Sequence, residues 1–246
     1  KLTDVALAFG DYADLKSPFL AGHSRRVADL AERIARRMGL TVLHIATIYQ
    51  AALVHNIGIV AVPSFVLNKP RARLTEAEWE QLRLHPYYSE RILSKVPALE
   101  ALIPMVGAHH ERMDGQGYHR GLPGAQIPPG ARIIAVADRF DELSHGTPDH
   151  PAIEPDDIVP VMRQEVGPGL WPEAFQALVE DLTGASDTAI KRTPRQQWPA
   201  GLTDREVEVL RLMAKGLDRR QAAKTLFVST GTIRSHLEHI YAKIGV

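Results

Sequence analysis

The 246-residue sequence contains no cysteine. Disulfides and thiolate-bound metals are therefore excluded, and a metal site would have to be built from histidine, carboxylate or amide oxygen. A cysteine-free chain fits a reducing compartment. Net charge is missing too: Lys plus Arg and Asp plus Glu are 29 each. The whole chain thus carries no basic excess that would mark it for nucleic acid or a membrane surface. No clean apolar run of roughly 18 residues is present. The most apolar stretch, Leu40 to Leu67, is broken by His44, Gln50, His55, Asn56, Gly58 and Pro63. Neither a membrane span nor an export signal is expected, and the expected location is cytoplasmic. The chain begins at Lys1 rather than methionine, so a preceding segment stays open. Internal repeats, long low-complexity tracts and strong strand signals are lacking as well. With 24% charged and 45% apolar residues, the composition is that of a folded globular chain, of one large domain or two smaller ones.

What is present reads as helix. Val27, Leu30, Ala31, Ile34, Ala35 and Met38 recur at helical spacing, and Gly39 closes the pattern. A second helix is expected over Val42 to His55. The run Thr75-Glu76-Ala77-Glu78 is a capping box that predicts a third near 75–94. Leu99, Leu102, Ile103 and Val106 predict a fourth, ending near the His109-His110 pair. Gly115 to Gly130 reads as loop, Ala131 to Leu143 as helix, and 145–156 as a second loop. Pro155–Glu165 and Trp171–Leu182 read as closing helices, with Phe175, Leu178 and Leu182 available for domain packing or dimer contacts. The Gly-, Ser-, Thr- and Pro-containing stretch from Gly184 is the best linker. The expected organisation is an all-α chain with a domain over 1–183, a linker over 184–200 and a second domain over 201–246.

The second domain has a charge signature of its own. Residues 201–246 hold eight Lys and Arg against five Asp and Glu, so a basic module sits on a slightly acidic body. Thr203 to Glu206 forms another capping box, Val207, Leu210 and Met213 form an apolar stripe, and Gly216 ends the helix. A short helix around Arg219–Leu226, a turn at Val228-Ser229-Thr230-Gly231 and a helix from about Thr232 complete a helix-turn-helix pattern. The face of the last helix would carry Thr230, Thr232, Arg234, Ser235 and His239, while Arg219, Arg220, Lys224 and Lys243 would serve phosphates. His236 lies either in the recognition surface or on the inner face. The text LTDREVEVLRLMAKGL followed by VSTGTIRSHLEHIYAKIGV resembles the LuxR-type helix-turn-helix of bacterial response regulators. That resemblance implies sequence-specific binding of double-stranded DNA, usually as a homodimer, with Thr232, Arg234, Ser235 and His236 in the recognition helix. Asp218-Arg219-Arg220-Gln221 departs from the commoner start of the second helix.

Nine of the eleven histidines lie in residues 1–200. His23 opens a helix in AGHSRRVADLA, His55 ends one in ALVHNIGIVAVP, and His85 begins HPYYSERIL. His109 and His110 precede ERMDGQGYHRG, and Asp138 sits in ARIIAVADRFDEL. Imidazole and carboxylate are the usual ligands of zinc, iron and manganese, and ligands from separate helices can converge in a bundle core. From about residue 15 to 182 this text resembles the HD-GYP domain, the bacterial class that hydrolyses cyclic di-GMP. The resemblance implies an all-helical bundle around a multi-metal centre, with His23, His55, His85, His109, His110 and Asp138 as metal ligands. Arg112, Asp114 and Tyr118 fall in the family's signature loop as candidate ligand-binding residues. His119, His145 and His150 are expected at the surface.

Departures from the family pattern gather at the same site. The His-Asp pair reads His55-Asn56, which replaces a bridging carboxylate by a neutral amide. The family lysine position is Ile59, and a further carboxylate position is Phe19. The signature tripeptide ends in His119. The loop Ser144 to His150 has Thr147 and His150 at its basic positions. These changes leave the apolar faces untouched and argue against two-metal hydrolysis. Two smaller sites remain: His85, His109 and His110 for one ion, and His23, His55 and Asp138 for another. The alternative is a metal-free bundle with vestigial histidines. The expected function is a bacterial transcriptional regulator in which an HD-GYP-like sensory domain, responding to one or two metal ions, a nucleotide or another small-molecule effector, controls the DNA-binding domain. The alternatives are an active cyclic di-GMP phosphodiesterase with a DNA-binding tail and a non-catalytic dimerisation scaffold.

Overall fold

The structure is a computed structural model that describes residues 2–184, 200, 202, 204–226 and 230–244. The chain divides into two compact units, Lys1–Asp187 and Thr188–Val246. Nearly all of the expected linker lies outside the described residues. Among the described residues there is no strand, only an isolated bridge between Val166 and Leu170. The all-α expectation therefore holds.

The first unit opens on α1 (Leu2–Asp14), a helix not anticipated from the sequence. It continues through α2 (His23–Arg37) and α3 (Val42–Val54). Left-handed Gly22 and Gly39 bracket α2, and the Thr41 side chain caps α3 by accepting from the His44 N–H. Val27, Leu30, Ala31, Ile34 and Ala35 are buried as the periodicity predicts. A 3-10 turn over Ile57–Ala61 and the short α4 (Ser64–Leu67) follow. The stretch Val42–Ala61 is long and apolar enough to cross a bilayer, but more than half of it is buried within the unit.

The helix expected near 75–94 is two helices, α5 (Glu76–Arg83) and α6 (His85–Leu93). The Thr75–Glu78 capping box forms as expected. The break has a local cause. Pro86 has no N–H to give to the carbonyl four residues back, so the Leu82 oxygen is freed at that point. The expected fourth helix is a 3-10 segment, Pro97–Leu102, running into α7 (Ile103–Val106). Helices α8 (Pro129–His145), α9 (Pro155–Arg163) and α10 (Pro172–Thr183) close the unit. Helix α2 lies at the centre of the bundle, packed against α3, α8 and α10. Phe175 and Leu178 belong to this core, and only Leu182 of that trio is exposed.

The second unit holds α11 (Asp204–Ala214), α12 (Arg219–Leu226) and α13 (Thr230–Ile244). Its core is Val209, Ala222, Ala223, Leu226, Ile233, Leu237 and Ile240. Asp218 and Gln221, which look out of place beside the family text, cap α12 reciprocally. The Asp218 N–H donates to Gln221 Oε1, and the Gln221 N–H to Asp218 Oδ1, each at 2.8 Å. Thr203, half of the other expected capping box, lies outside the described residues, as do Val228 and Ser229 of the expected turn.

Candidate metal centre and nucleic-acid interface

Three histidines of the first unit sit just past helix ends, where backbone carbonyls lack helical partners. His55 Nδ1 lies 2.6 Å from the Ala52 oxygen, His85 Nδ1 2.8 Å from Leu82, and His109 Nδ1 2.6 Å from Val106. A carbonyl only accepts, so each Nδ1 carries the proton and each neutral ring presents a bare Nε2. His23, at the start of α2, is held instead by Asp141, at 2.8 Å from its Nδ1. Asp141 is fixed by a two-pronged bond from Arg26, at 2.6 and 3.0 Å. This carboxylate–histidine pairing orients a metal ligand and sets its tautomer.

The inward-facing ring nitrogens converge. His23 Nε2 is 3.2 Å from His55 Nε2 and 3.3 Å from Asp138 Oδ1. His85 Nε2 is 3.3 Å from His109 Nε2. His110 stacks on Tyr118 with ring centroids 4.3 Å apart, and its Nδ1 is 3.9 Å from Asp138 Oδ2. Two triads result, His85/His109/His110 and His23/His55/Asp138, each with its ligand atoms within 4.8 Å of one another. These are the two groupings expected from the sequence. They fit a divalent ion on chemistry the chain itself displays. Lone pairs of His85 and His109 face each other across a buried gap, an arrangement that a cation satisfies. Asn56 Oδ1, buried and lining the same cavity, has no hydrogen-bond partner among the described residues. Divalent ions held here would supply Lewis-acid activation of a phosphoryl group.

Burial and charge set the protonation states of the residues themselves. Burial drives His55 down to about 4 and drives His85 and His109 well below the ordinary imidazole value. Burial works against His23 as well, but hydrogen bonds to Asp138 and Asp141 outweigh it and push it up to about 10. Burial would raise Asp138, yet the His23 hydrogen bond and charge hold it far below the usual carboxylate range. Glu142, one turn beyond Asp138, is raised to about 7 by burial and by the Asp138 charge.

Two cavities, of about 430 and 490 Å³, open beside the triads and share Arg71, Trp79, His110, Tyr118, Asp138, Arg139 and Glu142. Ile59 and Phe19 line the first, so the positions expected to lack charge do present apolar groups to it. Thr147 and His150 line it too, and His150 is half-buried rather than exposed. His119 is half-buried as well, while His145 is exposed and donates toward Asp141. Arg112 lines the second cavity and pairs at 2.9 Å with Asp114, which lines neither. Glu111 is buried and accepts the Arg120 and Leu122 N–H groups at 3.0 and 2.9 Å, which folds the signature loop so that Tyr118 covers His110. Glu111, Asp141, Glu142, Arg71 and Arg139 escaped the sequence reading. Only Asp141 left a usable signal, three residues after Asp138 on the same helix.

On the second unit, Thr230, Thr232, Arg234, Ser235 and His239 are all exposed on α13, and Arg219, Arg220 and Lys224 are exposed on α12. His236 is half-buried. Arg234 bonds Glu238 at 2.9 Å on the surface. Lys243 bonds the buried Glu206 at 2.6 Å, so this cation already has a carboxylate partner.

Residues 8–169 match the family model described as HD domain. The chain belongs to the HD domain family. Residues 200–246 match a second model, bacterial regulatory proteins of the luxR family. Around its HD domain the chain is 40% identical over 178 residues to the 3'3'-cGAMP-specific phosphodiesterase 3 of Vibrio cholerae serotype O1, covering 72% of this chain and 38% of that protein. It is 36% identical over 145 residues to a cyclic di-GMP phosphodiesterase of Thermotoga maritima, covering 58% and 38% of the two chains. The chain spans less than half the length of these curated relatives. Among solved structures the HD domain resembles Bd1817, an HDG"Y"P protein from Bdellovibrio bacteriovorus. The TM-score is 0.55 at 20% identity, over 66% of this chain and 52% of that one, a likeness of fold.

Proposed function

We propose that this chain is a transcription regulator in which an HD domain, loaded with divalent metal, binds a cyclic dinucleotide and thereby controls DNA binding by the C-terminal unit. The observation that carries the reading is the pair of ligand triads beside cavities lined by Arg71, Arg83, Arg112 and Arg139, on the same chain as a three-helix unit with exposed Arg and Thr side chains. Relatives named as cyclic dinucleotide phosphodiesterases support the ligand class. Asn56 and Ile59 support sensing over turnover. The first puts a neutral oxygen where a carboxylate would hold two cations together, and the second puts an apolar group at the cavity wall. Control requires only that the ligand favour one of two states of the protein. The reading assigns DNA contacts to Arg219, Arg220, Lys224, Thr230, Thr232, Arg234, Ser235 and His239, in a cytoplasmic homodimer.

A second reading, an active phosphodiesterase, is favoured by the unpartnered Asn56 Oδ1, which is free to serve as an oxygen ligand. One experiment separates the two. The Mn²⁺- or Fe²⁺-loaded full chain is incubated anaerobically with cyclic di-GMP and with 3'3'-cGAMP, and products are separated by chromatography. In parallel, operator DNA selected from a random pool is titrated with and without each dinucleotide. The regulator reading expects no product and a ligand-dependent shift in DNA affinity, with binding that falls steeply with salt and is weakened in Arg234→Ala. Turnover abolished by His110→Ala would establish the enzyme. DNA affinity indifferent to salt and to both ligands would overturn the regulator.

A further inference from the structure

The cavities beside the metal triads are lined by five Lys and Arg side chains, and four are already matched by carboxylates. Lys69 binds Glu78 at 2.7 Å, Arg83 binds Glu80 at 3.3 Å and Arg112 binds Asp114 at 2.9 Å. Arg139 binds Glu165 at 2.8 Å and Glu142 at 3.1 Å. Arg71 differs. Its guanidinium lies 4.0 Å from the ring centroid of Trp79, stacked on an aromatic face, with no carboxylate partner among the described residues. Its position is not accidental. The Arg71 backbone N–H donates to Asp149 Oδ1 at 2.6 Å, which ties the 70–74 turn to the loop that closes α8. That loop presents Thr147, Pro148, Asp149 and His150 to the cavity and contributes no Lys or Arg.

The same platform reaches the metal triad through rings in contact. Trp79 meets Tyr118 edge-on at 5.8 Å, Tyr118 stacks on His110 at 4.3 Å, and His110 meets His85 at 4.9 Å. A guanidinium seated over an indole face by cation–π attraction, with no carboxylate taking up its N–H groups, can offer them to an anion. We infer that Arg71, seated on Trp79, is the anion-binding group of this cavity and takes a phosphate of the nucleotide ligand. The inference deepens the proposed function and rests on it for the identity of the ligand, though not for the presence of an anion site.

The test is calorimetric titration of the metal-loaded full chain with two probes, cyclic di-GMP and inorganic pyrophosphate. It compares wild type with Arg71→Ala, Arg71→Lys and Arg36→Ala. Arg71 and Arg36 are both exposed, and Arg36, paired with Glu32 at 2.6 Å on α2, lines neither cavity; metal content measured on each sample checks that the fold is kept. The expected result is at least a ten-fold rise in Kd for both probes in Arg71→Ala, partial recovery in Arg71→Lys, and less than a two-fold change in Arg36→Ala. Pyrophosphate binding that depends on Arg71, without any cyclic di-GMP binding, would uphold the anion site and overturn the dinucleotide reading. Cyclic di-GMP binding that is equal in wild type and Arg71→Ala would overturn the assignment of Arg71 and leave that reading standing. Failure of wild type to bind either probe would overturn both.

Discussion

His85 Nε2 lies 3.3 Å from His109 Nε2, while both Nδ1 atoms donate to backbone carbonyls of Leu82 and Val106. Two neutral imidazoles so fixed turn lone pairs toward each other in a buried space. Burial also keeps either ring from relieving the clash by taking a proton, since both are driven well below the ordinary value. A divalent ion would resolve the arrangement at neutral pH.

The two triads should therefore lose metal independently. The protein reconstituted with Mn²⁺ or Zn²⁺ is expected to bind up to two ions per chain. His109→Ala should remove one, and Asp138→Ala the other, as counted by plasma emission on desalted protein. Loss of both ions in either single variant would mean one shared centre, and no bound ion in wild type would mean that the histidines are vestigial.

Asp141 touches no other proposed ligand than His23, yet it should govern that site. Removal of a carboxylate behind a metal-bound imidazole costs on the order of 10–100-fold in metal affinity. Asp141→Ala should weaken the His23/His55/Asp138 ion by that factor and leave the other ion unchanged. Asp141→Asn, which can still accept from His23 Nδ1, should recover part of the loss. Competition with a chromogenic chelator measures both, and equal weakening of the two ions would instead indicate a general loss of structure.

The metal-free protein should show a stability maximum near neutrality. His55, at about 4, stays neutral in the folded chain while its unfolded counterpart takes a proton near 6.5, so stability falls as pH drops from about 6.5 to 4. His85 and His109 add to the same slope. His23, at about 10, holds its proton in the folded chain only, so its contribution is complete below about 6.5 and is lost as pH rises toward 10. Melting temperatures in chelator should decline on both sides. Saturating Mn²⁺ displaces the His23 proton and should flatten the alkaline side. A Tm that rises steadily from pH 6.5 to 9 in chelator would contradict the His23 assignment.

Gly58 is the tightest joint of the centre. Its N–H donates to Ser89 Oγ at 2.8 Å, and Ser89 Oγ donates to the His55 oxygen at 3.0 Å. A Cβ at position 58 would collide with the His85 oxygen and the Ser89 backbone nitrogen. Gly58→Ala should cost about 2–3 kcal/mol through overpacking against backbone. It should also lower metal content at both triads, because His55 and His85 flank the joint. Urea unfolding followed by circular dichroism checks the first effect. A loss under about 0.5 kcal/mol would show that α6 yields, a cost ordinary for a surface site.

Much of the molecule was legible before folding. Helix ends announce themselves locally, because a cap is a bond between neighbours: Thr75 with Glu78, and Gly39 after α2. The cap of Asp218 with Gln221 reads in the sequence only as a departure from the family text, and it is the structure that shows it. The six candidate ligand positions and their grouping into two triads followed from residue type and from the family resemblance. Helix α1 was missed because its apolar face is short and ends on buried Asp14, whose carboxylate accepts from Ser24 at 2.7 Å, a partner supplied only by the fold. The break between α5 and α6 was written in Pro86, but the Thr75–Glu78 capping box marks only where a helix starts and says nothing of where it ends.

By itself the sequence determined that the chain is helical, that it carries two modules, and that imidazole, carboxylate and amide oxygen are its only metal chemistry. Those properties depend on composition, period and bonds across a few residues. Tertiary structure alone decided which charges are spent and which are free. It set Asp141 against His23 across 118 residues, and Lys243 against Glu206 across 37. It also left Arg71 on Trp79 without a carboxylate partner among the described residues. Electrostatic partners are chosen by proximity in space, and packing, rather than order along the chain, sets that proximity.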